Sequence, residues 1–75
     1  ASLGGLIAGV AHEINTPVGV SVSTASYLGE RTQAARSLHD RGRLGAAEIA
    51  SYLRDADESS RLLLSSCAMV VSMPD

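Results

Sequence analysis

The chain has 75 residues, 45% of them hydrophobic, with no Phe or Trp, two Tyr and a formal net charge of −2; this allows one domain, or part of a longer protein. All six basic residues are Arg, spread over positions 31 to 61 without a basic stripe, which argues against nucleic-acid binding. The single cysteine, Cys67, permits no internal disulfide and no Cys/His cluster suggests zinc, so Cys67 is expected to be a small buried hydrophobe.

Leu3 to Ala11 is an apolar run far too short to span a bilayer. No basic segment precedes it, as a signal peptide would require. The chain is therefore expected not to insert into a membrane. Beginning without Met and directly in a pattern, it is expected to be a piece of a longer protein. From Leu3 the apolar positions continue through Leu6, Ile7, Val10, Ile14, Val18, Val22, Ala25 and Leu28, and the same period passes Thr32 and Ala35 to Leu38. Steps of three and four predict one helix over about residues 3–38.

Within that helix stands "HEINTP", His12 to Pro17. Glu13 is the only formally charged side chain in residues 1 to 29. At about 100° per residue His12 points away from the apolar stripe, with Thr16 one turn on and Asn15 close by. Pro17 removes the N–H that would bond the carbonyl of residue 13, at a cost of about 3 kcal/mol inside a helix. Two readings of the proline stay open: a kinked continuous helix, or a helix that starts at Pro17 with Asn15 or Thr16 as cap. The apolar stripe keeps phase across it, which favours the first. Further along, Ser21, Ser23, Thr24 and Ser26 suggest a small, uncharged outer surface suited to docking.

"HDRGRLG", residues 39–45, reads as a turn, with Gly42 a candidate for the left-handed position beyond the helix end. A second helix is expected over about residues 46–73, with Glu48 in its first turn and a stripe of Ile49, Leu53, Ala56, Ser60, Leu63, Cys67, Val70 and Met73. Pro74 should end it. A short turn makes the two helices antiparallel. Ordering 75 residues costs on the order of 110 kcal/mol, more than one hairpin is able to offset. The expected fold is all-α: one domain over residues 1–75, an antiparallel helical hairpin that pairs into a homodimeric four-helix bundle.

Several chemistries fit His12 poorly. His12-Glu13-x-x-Thr16 lacks the second histidine of a zinc-protease helix, and His39 is distant, so no metal site is expected. A Ser-His-Asp triad would need a nucleophile elbow, which is missing. "GLIAGVAH" lacks the GK[ST] ending of a phosphate loop. A surface histidine without chemistry remains the plain alternative. The remaining chemical role is nucleophile: a neutral imidazole has a lone pair on one ring nitrogen, and a nearby carboxylate orients the other and takes up its proton.

"AGVAHEINTPVGV" resembles the H-box of two-component sensor histidine kinases, with Val18 where Leu is commonest. The resemblance extends over the whole chain and implies the dimerisation and histidine-phosphotransfer domain of such a kinase. His12 would be the phosphoacceptor. Glu13 would act as base or orient the ring, and Asn15 would contact nucleotide or the catalytic domain. Thr16 would place a water during regulator dephosphorylation, and Pro17 would kink the helix. No asparagine box or glycine-rich lid is present, so the chain has no cofactor of its own. ATP and Mg would come through a separate ATP-binding catalytic domain. The implied partners are a second copy, that catalytic domain and the receiver domain of a response regulator. The implied location is the cytoplasmic portion of a membrane-associated bacterial sensor. The rivals are a monomeric phosphocarrier domain of the HPt type, which needs four helices from one chain, and a purely structural dimerisation hairpin.

Overall fold

The computed structural model describes the backbone of residues 3–72 and the side-chain surroundings of residues 7–72. Two helices account for most of it: α1, Leu3–Asp40, and α2, Ala46–Val71. They pack against each other as an antiparallel hairpin. The far end expected for the second helix, Met73 with Pro74 beyond it, lies outside the described residues. Helix α1 runs without a break through Pro17. The alternative in which the helix starts at Pro17 is thereby set aside.

The turn is built by backbone chemistry. Gly42 has φ of 68°, a conformation in which any Cβ is strained. The Gly42 N–H donates to the His39 carbonyl at 3.0 Å and the Arg43 N–H to that of Leu38 at 2.8 Å. This is the Schellman arrangement, which satisfies carbonyls that a helix end leaves free. The Arg41 guanidinium adds a bond to the Ser37 carbonyl at 3.3 Å. Glu48, in the first turn of α2, complements the positive end of the helix.

The side chains between the helices differ from the apolar stripes read in the sequence. On α1 the partly or fully buried positions are Pro17, Ser21, Thr24, Leu28, Arg31, Ala35 and Leu38, alternating steps of four and three. On α2 they are Ser51, Tyr52, Asp55, Ala56, Ser59, Leu63, Ser66 and Val70. Among the described residues only Pro17, Ser59 and Ser66 are buried outright, and apart from the proline ring no aliphatic or aromatic side chain is. The expected stripes mix this seam with a neighbouring row. Leu28, Ala35, Leu38, Ala56, Leu63 and Val70 lie in the seam, whereas Val18, Val22, Leu53, Ser60 and Cys67 are exposed. The buried role expected for Cys67 is therefore corrected: it lies one helical position round from the seam. Ser21 and Thr24 likewise are half-buried, so only Ser23 and Ser26 remain of the small outer surface.

Polar groups cross-link the seam. The Arg31 guanidinium donates to the Asp55 carboxylate at 2.7 Å and reaches the Ser51 hydroxyl at 3.4 Å. The hydroxyls of Thr32 and Tyr52 share a hydrogen bond of 2.9 Å. These pairs set the register, and continuing it places Val71 opposite about residue 14. Ile7, Val10 and Ile14 prolong the seam's spacing on α1, yet all three are exposed.

The hairpin is thin, with extents of 61 × 17 × 13 Å and a radius of gyration of 17.7 Å, against about 11 Å for a compact chain of this length. It exposes 5748 Å², where a compact monomer of its mass would expose about 4,300 Å².

Candidate functional site

His12 lies in the first third of α1, fully on the outside. Counted at the seam's own repeat of about 3.5 residues per turn, it is half a turn away from the line of Ile14, Pro17 and Ser21. The seam therefore turns the imidazole outward. Asn15 lies on one side of His12 and Thr16 on the other, with Glu13 further round on the Thr16 side. All three are exposed.

Pro17 is the exception, buried against α2. Its ring fills the seam at the level of the site, and its missing N–H leaves the Glu13 carbonyl without the usual helical donor. Two neighbouring hydroxyls bond back to the backbone here. Thr16 Oγ1 donates to the His12 carbonyl at 3.0 Å, and Ser21 Oγ to the Pro17 carbonyl at 2.9 Å. Such back-bonding from i to i−4 is associated with helix bending. Thr16 thus commits its one proton to the helix and keeps its lone pairs for accepting a bond from outside.

The structure brings His12, Asn15 and Thr16 onto one outer surface, but it does not join His12 to Glu13. Among the described residues the ion pairs are Arg31–Asp55 and Arg61–Asp57, and His39 makes a polar contact with Asp40. The other histidine, His39, is therefore the one with a carboxylate beside it, Nδ1 to Oδ1 at 3.2 Å, with both side chains largely in solvent. Among the described residues no group of three His, Cys, Asp or Glu side chains is placed to hold a metal ion. No helix is long and apolar enough to cross a membrane, again among the described residues.

A shallow groove runs between the helices on the Glu13 and Thr16 side, lined by Ser23, Thr24, Tyr27, Glu58, Ser59 and Leu62. It begins about three turns along α1 from His12. Sequence reading missed this groove because Tyr27 and Leu62 belong to neither expected stripe. The signal was present in the spacing of Val20 and Tyr27, and of Leu62 and Met69, seven residues apart in each helix.

No family model matches the chain, and neither a curated protein nor a solved structure does.

Proposed function

We propose that this chain is the dimerisation and histidine-phosphotransfer domain of a sensor histidine kinase, with His12 as the phosphoacceptor. The observation that carries the reading is the position of His12: outward on a helix that stays continuous through Pro17, within the sequence His-Glu-x-Asn-Thr-Pro. A phosphoacceptor must be reached from outside by donor and acceptor in turn, and the face opposite the seam meets that need.

In the reaction a lone pair on one His12 ring nitrogen attacks the γ-phosphorus of ATP. The bond to the bridging oxygen breaks and ADP leaves. The proton on the other ring nitrogen is taken up by a base, the role assigned to Glu13, leaving an uncharged ring that bears the anionic phosphoryl group. Glu13 makes no bond to His12 here, so a rotamer change brings it to the ring when nucleotide arrives. Catalytic hydrogen bonds often tighten only in the complex. Asn15, on the far side of His12, is placed to meet the nucleotide or the incoming catalytic domain. Thr16 has acceptor capacity for a water when the phosphoryl group on a regulator is hydrolysed. ATP and its Mg arrive with a separate catalytic domain, because in-line transfer needs phosphate and metal clamps. The phosphoryl group then passes to an aspartate of a receiver domain, for which the groove beside Ser23 and the exposed Ser26 offer a docking surface.

The chain acts as a homodimer, two hairpins forming a four-helix bundle on the cytoplasmic side of a bacterial sensor. The excess exposed surface supports this part of the reading. A structural dimerisation hairpin without phosphotransfer is the second reading, favoured by the missing His12–Glu13 bond. Incubation with ATP and Mg separates them. Acid-labile phosphate should form only when a histidine-kinase catalytic domain is added, and His12→Ala should abolish it. Label on the chain without that domain, or label surviving His12→Ala, would contradict the proposal.

A further inference from the structure

The hairpin has two broad faces, one on each side of the seam, and they differ in charge. One carries Val18, Ala25 and Thr32 of α1 with Leu53, Ser60 and Cys67 of α2. The other carries Glu13, Val20 and Tyr27 with Glu48, Leu62 and Met69. The grooves show which residues share a side: Tyr27 lines one with Glu58 and Leu62, whereas Ala25, Thr32 and Arg36 line another with Leu63.

We propose that a second copy of this chain covers the Val18–Ala25–Leu53–Cys67 face and leaves the Tyr27–Leu62 face open. The inference rests on the dimer reading above and specifies which surface that dimer uses. Three observations lead to it.

The first is area. The chain exposes 5748 Å², about 1,400 Å² beyond what a compact monomer of its mass would show. That excess is of the size one protomer hides in a substantial protein interface. A second copy is the occupant that needs nothing beyond the chain itself.

The second is charge. A two-fold contact sets the same surface of both copies against each other. On the Tyr27–Leu62 face it would bring Glu13, Glu48 and Glu58 of each copy against like charges. The six residues of the first face include no charged side chain, and the guanidinium beside them, Arg36, stands toward the turn end of the hairpin. Asp57 at the edge of this face already accepts a bond from Arg61 at 3.1 Å. Its middle is small, with Ala25, Ser60 and Cys67, flanked by the exposed Val18 and Leu53. That shape allows helices to approach closely.

The third is access. Glu13 and Thr16 lie on the Tyr27–Leu62 side of His12. Covering that side would close off Glu13 and Thr16, whereas covering the other leaves both open and approaches only Asn15 of the group.

Sedimentation of the chain and four variants tests this. Ala25→Glu and Ser60→Glu each place a charge on the proposed seam, at exposed helical positions where Glu is well tolerated. They should weaken dimerisation by about 100-fold or more, since an unpaired charge would be buried. Tyr27→Glu and Leu62→Glu should change it by less than about threefold, as for exposed positions outside an interface. Dissociation by the second pair but not the first would overturn the face assignment and leave the dimer standing. A monomer for the unsubstituted chain at every concentration would overturn the dimer reading itself. Thiol labelling of Cys67 in the unsubstituted chain gives a readout that needs no variant. It should slow at least tenfold as concentration rises through the dimerisation range, and labelling independent of concentration would overturn the proposal.

Discussion

At the scale of single residues, His12 owes its exposure to residues that never touch it. Pro17 and Ser21 are held toward α2, and the repeat that puts them there puts position 12 on the opposite side. Thr16 is tied to the His12 carbonyl through its hydroxyl, so its oxygen sits at a fixed place one turn from the imidazole. Glu13 is in none of the ion pairs among the described residues. If it serves as the base, Glu13→Ala should slow phosphorylation of His12 by about 10²-fold or more. Glu13→Gln, which preserves size but removes the charge, should not restore the rate. Time courses of acid-labile label with a catalytic domain in excess would show this, and a rate unchanged in both variants would remove Glu13 from the mechanism.

At the scale of elements, the hairpin and its turn were legible in the sequence, but the stripe was not resolved. Gly42 was readable because only a residue without Cβ takes φ of 68° cheaply. The helix through Pro17 was readable because the apolar period kept its phase. The seam was not, because its inner positions are Ser21, Thr24, Ser59 and Ser66, which hydrophobicity alone assigns to solvent, while Val18, Val22 and Leu53 are exposed in the single chain. Arg31 and Asp55 were hidden for the same reason, since charged residues read as outer surface. Their 2.7 Å pair is half-buried, so removing one partner costs more than a surface pair would. Asp55→Ala should lower stability by about 1–2 kcal/mol, between the values for exposed and buried pairs. Urea titration at fixed protein concentration measures this, and a double-mutant cycle with Arg31→Ala isolates the pair's share. Additive single effects would mean that the pair does not set the register. Pro17 has the opposite sign. An interior proline costs about 3 kcal/mol, and part of that is offset by the ring's burial against α2. Pro17→Ala should therefore raise stability by about 1–2 kcal/mol. It should also slow phosphotransfer if the hinge is needed. A more stable chain with unchanged transfer would leave Pro17 a structural residue only.

At the scale of the whole molecule, the hairpin has a seam but no core: among the described residues no aliphatic or aromatic side chain other than the Pro17 ring is buried. Ile7, Val10 and Ile14 continue the seam's spacing on α1 yet are exposed, and Val22, Leu53 and Leu64 face outward. Pairing with a second copy, as proposed, would give such a chain protein-like burial and would leave His12 accessible. For the role of His12 the chain supplies an internal control. His39 is also exposed and has an adjacent carboxylate at 3.2 Å, so chemistry that needs only an exposed His-acid pair would favour it. The decisive measurement is mass-spectrometric mapping of phosphohistidine after incubation with ATP, Mg and a histidine-kinase catalytic domain. The account predicts phosphate on His12 and none on His39. Phosphate on His39 at equal or greater occupancy, or none on His12, would contradict it.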